Sequence, residues 1–144
     1  MSVFSNSRDD LRKNYAEAWA KRRSGMPLSP LEALISDVIA LHPEYQPIMQ
    51  SVENAIAFEP KSGDIHNPFL HMGLHIAVRE QVSIDRPPGV RDLHQALTES
   101  AGDVHSAEHI LMDALSETLW EAQRAQRQPD EREYLAKARA RLKR

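Results

Sequence analysis

The chain has 144 residues, of which 41% are hydrophobic and 27% are charged, and these values are typical of one globular domain. It contains no cysteine, which excludes disulfide frameworks, thiolate metal sites and cysteine nucleophiles. Its formal net charge of -3 gives it no general affinity for nucleic acid, because such affinity depends mainly on excess positive charge.

The sequence predicts neither a membrane span nor a targeting segment. Its apolar runs are short, as at 38–41, whereas a membrane-spanning helix needs about 20 apolar residues. The first ten residues carry acids and no apolar central stretch, so they match neither a secretory signal nor an arginine-rich transit peptide. We therefore expect a cytoplasmic protein with no membrane partner.

Two helix starts are marked in the first third of the chain. Ser7 and Asp10 resemble a capping box, and the apolar spacing after them predicts a helix over 8–24. The string SPLE at 29–32 places serine at the cap, proline at the first helical position and glutamate at the third. It predicts a second helix, which ends at His42-Pro43.

Further helices are predicted over 44–57, 69–84, 90–127 and 130–142. The string DRPPG at 85–89 predicts a loop, and Gly102-Asp103 predicts a kink or a short turn. No segment alternates like a strand. The predicted fold is an all-α, single-domain bundle of about six helices over 1–144, with 130–142 a candidate for a peripheral position.

Histidine spacing is the main chemical signal of the sequence. Six of the seven histidines fall between 66 and 109, and four of them form two pairs spaced by four residues, His71 with His75 and His105 with His109. Residues four apart on a helix lie about 5–6 Å apart on the same side. Each pair can therefore supply half of a metal site.

Glu108 lies between the second pair, and apolar residues continue both histidine faces, so these groups are expected to point inward. A buried histidine without a partner costs about 1–3 kcal/mol, so each needs one. Imidazoles from two facing helices, with a carboxylate, suit zinc, iron, manganese or nickel. The predicted site is a single divalent metal held by His71, His75, His105, His109 and Glu108, the last as a ligand or as a support for one.

Other interpretations of the histidines stay open. They can be core or groove groups of a non-enzymatic interaction module, which forms a homodimer or binds another protein partner. The string HSAEH at 105–109 also matches an inverted zinc-protease motif, but that motif needs a third ligand downstream and occurs in far larger proteins. A metal with an open position could activate water, whereas a closed site would be structural, so the sequence leaves enzymatic activity undecided.

Several conspicuous residues are expected to lie outside the site. His42 could add a ligand from the second helix, but it fits a contact with a helix C-terminus equally well and is left outside the site. Arg79 and Glu80 fit a surface or interhelical ion pair. Trp120 is expected to be a core anchor. The basic stretch 132–144 is interpreted as a solvated helix end, which makes RNA a poor candidate partner, since no aromatic side chains interleave with its cations.

Four short strings carry a further signal: HPEY at 42–45, NPFLHMGLH at 67–75, DRPPG at 85–89 and ETLWEAQ at 117–123. Together they resemble a bacterial family of uncharacterised proteins, domain-of-unknown-function family 1841, over most of the chain. The resemblance implies a bacterial cytoplasmic protein and carries over no catalytic residue. The histidine pairs are also similar to those of haemerythrin-like and DinB-like metal bundles, but too few carboxylates are present for a two-iron site.

Overall fold

The computed structural model describes residues 8–59 and 67–142, which form seven α-helices and one 3-10 helix, with no strand in these ranges. In chain order the helices are α1 (Arg8–Arg23), α2 (Pro30–Ala40), the 3-10 helix η1 (Pro43–Met49), α3 (Val52–Ala57), α4 (Pro68–Ile84), α5 (Val90–Ala101), α6 (Val104–Ala125) and α7 (Glu131–Arg139). The all-α prediction is confirmed. Over the same ranges, no helix is both long and apolar enough to cross a bilayer.

The structure has more helices than the six predicted because two long segments are divided. The segment 44–57 is split into η1 and α3, since Pro47 lacks the N–H of a continuous α-helix and Ser51 starts a new one by accepting from the Asn54 N–H at 3.0 Å. Gly102 ends α5 at a φ of 92°, and Asp103 caps α6 by accepting from the Ser106 N–H at 2.7 Å. The break at 102–103 is therefore complete.

The predicted capping box of the second helix is confirmed. The Glu32 N–H donates to Ser29 Oγ at 3.1 Å, and the Ser29 N–H donates back to Glu32 Oε1 at 2.9 Å. The cap proposed at Ser7 lies outside the described residues. Local sequence signals thus place the start of α2 correctly.

The described residues pack as two compact units, one ending at Gly73 and one beginning at Leu74. Helix α4 begins in the N-terminal unit and ends in the C-terminal unit. The prediction of one domain over 1–144 stays a prediction.

In the N-terminal unit, α1 packs against α2, α3 and η1 around a core of large side chains. The buried members include Tyr15, Trp19, Ile39, Met49 and Phe69. One charged side chain, that of Arg12, is also buried here. It ties α1 to the end of α3 by donating to the carbonyl oxygens of Ala55 and Phe58.

In the C-terminal unit, α6 packs against α5 and α7, and the last part of α4 adds to the same core. The largest fully buried aliphatic residues of this core are Leu97, Leu111, Val78 and Val90. Helix α7 contributes Tyr134 and Ala138 to this core, and the peripheral position considered for 130–142 stays a prediction.

The predicted loop at 85–89 is confirmed and is held by its own neighbours. The Asp85 carboxylate accepts from the N–H groups of Gly89 and Arg91 at 3.2 and 3.0 Å. The Arg91 side chain donates to the carbonyl oxygens of Val82 and Ser83, the last turn of α4. These bonds give hydrogen-bond donors to carbonyl groups at the end of α4 and hold the backbone where α5 begins.

Tyr134 is expected to ionise only above the ordinary pH range of a tyrosine. Its hydroxyl is buried and donates to Gln81 Oε1 at 2.6 Å, and burial raises the pKa of Tyr134 above its ordinary value of 10.0. Because the folded-state pKa is the higher one, its contribution to stability is full below pH 10.0 and is lost as the pH rises through the folded-state pKa. Alkaline titration of tyrosinate absorbance should show this group ionising together with unfolding.

The matched variants for that titration are Tyr134→Phe and Tyr45→Phe, the second at a half-buried position. Tyr134→Phe should remove the ionisation phase that accompanies unfolding, whereas Tyr45→Phe should leave it in place. Retention of that phase in Tyr134→Phe would contradict the assignment.

Candidate metal centre

Glu108 is the centre of a buried polar group in the C-terminal unit. Its Oε1 accepts from His75 Nε2 at 2.7 Å and from Arg79 Nε at 3.2 Å, and its Oε2 accepts from His94 Nε2 at 3.1 Å. Only 5% of the Glu108 side chain and 0% of the His75 side chain are exposed. We call Glu108, His75, Arg79 and His94 the Glu108 cluster.

The charge of Glu108 is stabilised by these neighbours. Burial by itself raises the pKa of this carboxyl group, but the hydrogen bonds from His75 and His94 and the positive charge of Arg79 outweigh burial. The pKa of Glu108 is therefore held well below its ordinary range. The carboxylate stays ionised and acts only as an acceptor.

Because Glu108 accepts, His75 must donate its Nε2–H, and this fixes the tautomer of a neutral ring. The basic atom of His75 is then Nδ1. Metal-bound histidines typically have this arrangement, with the second ring nitrogen donating to a carboxylate that orients the ring. His75 is thus held in the form in which it can bind a metal ion.

Helix α6 brings two more histidines close to His75. The ring centroids of His109 and His105 lie 5.9 and 5.7 Å from that of His75, and 4.3 Å from each other. His75 and His109 each offer a ring nitrogen that lies within 4.8 Å of the other's. Their proximity follows from the packing of α4 and α6 in the same core.

The N-terminal unit contains a separate histidine contact. His42, at the end of α2, donates from Nδ1 to the Val38 carbonyl oxygen at 2.7 Å, and its Nε2 lies 3.0 Å from Nε2 of His71. The ring of Tyr45 is stacked on His42 with centroids 5.2 Å apart. We call the two histidines the His42–His71 pair.

Four of the five predicted site residues lie together in the C-terminal unit, namely His75, His105, Glu108 and His109. The fifth, His71, is one turn before His75 on α4, and its contact in the N-terminal unit is His42. The inward orientation predicted for these faces is borne out at His75 and Glu108, which are buried, while His71, His105 and His109 are partly buried. Whether any of them binds a metal stays a prediction.

Three residues that contact the predicted site residues were not included in the site predicted from the sequence. Arg79 belongs to the Glu108 cluster, and its position four residues after His75 was a usable signal. His94 comes from α5 and carries no spacing signal. The contact predicted between His42 and a helix end is confirmed by its bond to Val38, but nothing in its local sequence indicates its contact with His71.

The prediction that Trp120 is a core anchor is wrong, because Trp120 is 56% exposed. Leu119 is also exposed, so the apolar stripe of α6 is narrower near its C-terminal end than the spacing suggests. The guanidinium of Arg124 lies 4.7 Å from the centroid of the Trp120 ring and covers part of it. Trp120 is therefore a surface residue.

A protein-family model described as Domain of unknown function (DUF1841) matches residues 7–140. The chain belongs to this family. The family membership expected from the four strings is thereby confirmed for this DUF1841 chain, while its bacterial origin and cytoplasmic location stay predictions. No significant match was found among curated proteins or among solved structures. The DUF1841 chain is thus assigned to a family whose description names no activity, and its chemistry has to be argued from its own residues.

Proposed function

We propose that this protein binds one divalent transition metal through histidines of α4 and α6, with His75 and His109 as the central ligands. The observation that carries the proposal is the 2.7 Å hydrogen bond from the fully buried His75 to Glu108. That bond supports His75 as a ligand, because it leaves Nδ1 as the basic atom and fixes the ring. The proposal is one of binding and includes no reaction.

In this proposal, Glu108 orients a ligand and is not one itself. Both of its oxygens already accept hydrogen bonds from side chains of the Glu108 cluster. Moving Glu108 onto a metal would require His75 and Arg79 to give up a buried acceptor. A carboxylate behind the ligand also makes the imidazole a stronger donor to the metal.

Imidazole nitrogen favours zinc, iron, nickel or manganese over calcium and magnesium, which prefer oxygen ligands. His105 is included in the proposed set because its ring lies beside that of His109. His71 lies in the N-terminal unit and is outside the proposed set, and its role as a ligand of this metal stays a prediction from its spacing with His75. His105 is the less supported member of the set, so it is tested separately.

The test is metal content by elemental mass spectrometry on untagged protein purified without chelator, followed by reconstitution with each candidate metal. His75→Gln/His109→Gln should contain about one equivalent of metal less than the wild-type protein. His105→Ala tests the third proposed ligand. His94→Gln is the matched control, because it removes a histidine that contacts Glu108 without removing a proposed ligand.

Wild-type protein that binds none of the four metals on reconstitution would contradict the proposal. The same conclusion would follow if His75→Gln/His109→Gln bound metal as tightly as the wild type. A metal-free chain that is dimeric in solution would favour the interaction module instead. The exposed Leu119 and Trp120 on α6 are the observation that supports that second candidate.

A further inference from the structure

We infer that His42 and His71 form a pair of ligands in the N-terminal unit that takes a transition metal ion through their two Nε2 atoms. His42 was not part of the site expected from sequence, and the inference rests on its own contacts. It adds a separate site to the one proposed above, and it can fail while the proposal for His75 and His109 stands.

The tautomer of His42 is fixed by the backbone. The Val38 carbonyl oxygen accepts only, so His42 donates from Nδ1 at 2.7 Å, and the lone pair of the neutral ring is then on Nε2. A backbone carbonyl is, with a carboxylate, the usual partner of the non-ligating nitrogen in metal-bound histidines. His42 is 3% exposed and its ring is stacked on Tyr45, so its direction is fixed as well.

The position of His71 is what makes the pair suitable for a metal. Its Nε2 lies 3.0 Å from Nε2 of His42, with the ring planes at 77° to each other. For an ion about 2.05 Å from both nitrogens, the N–metal–N angle would be about 94°. This is close to the right angle of octahedral or square-planar coordination, and a tetrahedral ion would need a separation of about 3.3 Å.

An N–H···N hydrogen bond from His71 to His42 accounts for the same distance without an ion. The two explanations differ in what they require of His71. In the hydrogen bond, His71 Nε2 carries the proton, whereas in the metal complex both Nε2 atoms are deprotonated and bind the ion. Only the metal complex predicts nitrogen couplings from these two rings in the spectrum of a bound paramagnetic ion.

The ligand class is a borderline transition ion that binds imidazole, such as zinc, nickel or copper. Two imidazoles leave further coordination positions for water or other donors. Calcium and magnesium prefer oxygen ligands and are expected not to bind to this pair.

The experiment is a titration of the untagged, full-length chain with Cu²⁺, followed by paramagnetic resonance. It compares wild type, His42→Gln/His71→Gln and His75→Gln/His109→Gln, with Zn²⁺ competition to give affinities. The pair variant should lose the nitrogen couplings of two imidazoles and bind Zn²⁺ at least about tenfold more weakly. His71→Gln alone, at a partly buried position, provides the test if the double variant does not fold.

An unchanged spectrum and unchanged affinity in a folded His42→Gln/His71→Gln or His71→Gln variant would overturn the inference. The variant His75→Gln/His109→Gln keeps the two questions distinct. Wild-type metal binding by that variant contradicts the proposed function only, whereas wild-type metal binding by the pair variant contradicts the inference only. Circular dichroism on every variant verifies that the helices are retained.

Discussion

Glu108→Gln is expected to lower the free energy of unfolding by about 3 kcal/mol, because it removes the one negative charge that Arg79, His75 and His94 share in the Glu108 cluster. The glutamine has the same volume, but only one of its two terminal atoms is an acceptor. At least one of the three donors is then left facing an N–H₂ group. Arg79 and His94 are partly exposed and can recover hydrogen bonds with water. The expected loss of stability is therefore at the low end of the range for removing one partner of a buried ion pair.

The same substitution is expected to weaken metal binding by about 10- to 100-fold under the proposed function. The amide no longer holds His75 in the tautomer with a basic Nδ1. Urea unfolding followed by circular dichroism measures the first effect, and competition with a chromophoric chelator measures the second.

Glu117→Gln is the matched control, since it makes the same change on an exposed residue of α6, whose contact with Lys137 is 3.6 Å. It should change stability by no more than about 0.5 kcal/mol. If Glu108→Gln were as stable as Glu117→Gln, the Glu108 cluster would not be the stabilising group described above. If it were destabilised but bound metal normally, Glu108 would not orient a ligand.

Arg12→Met is expected to lower the free energy of unfolding by about 3 kcal/mol, although methionine preserves much of the apolar volume of the side chain. Arg12 is 3% exposed and donates to the carbonyl oxygens of Ala55 and Phe58 at 3.1 and 2.6 Å. Its guanidinium also lies 4.3 Å from the centroid of the Phe69 ring. Without it, the carbonyls at the end of α3 lose their donors in a buried place.

Arg12→Lys separates charge from geometry in the same experiment. A lysine keeps the positive charge but has no planar guanidinium to serve separate carbonyls and cover an aromatic ring, so an intermediate loss of about 1–2 kcal/mol is expected. Arg23→Met, at the exposed end of α1, is the control and should remain near wild-type stability. Equal stability of Arg12→Met and Arg23→Met would show that the buried contacts contribute nothing.

The sequence predicted the helices well wherever their signals are local. The SPLE string at 29–32 placed the start of α2, because a capping box is made by residues three apart. Asn67-Pro68 placed the start of α4, and DRPPG placed the turn after it. The predicted 44–57 helix was wrong in its continuity because the effect of Pro47 in a helix interior outweighs the apolar periodicity around it.

The candidate site was predictable only in part. The spacing of His71 with His75 and of His105 with His109 is a property of a helix and can be read from the sequence. The bond between His75 and Glu108 joins residues 33 positions apart, and it depends on how α4 and α6 rotate about their own axes as they pack. No local pattern specifies that rotation.

By itself, the sequence therefore determined an all-α chain, the caps and breaks of most of its helices, and the two histidine pairs, since each of these depends on residues within about one helical turn. Only the tertiary structure decided which groups these histidines contact. In the folded chain, Glu108 accepts hydrogen bonds from His75, Arg79 and His94, and His71 contacts His42. Arg12 is buried and Trp120 is exposed. The physical reason is that packing chooses which face of each helix is buried, and a buried charge or imidazole must then find its partner on another segment of the chain.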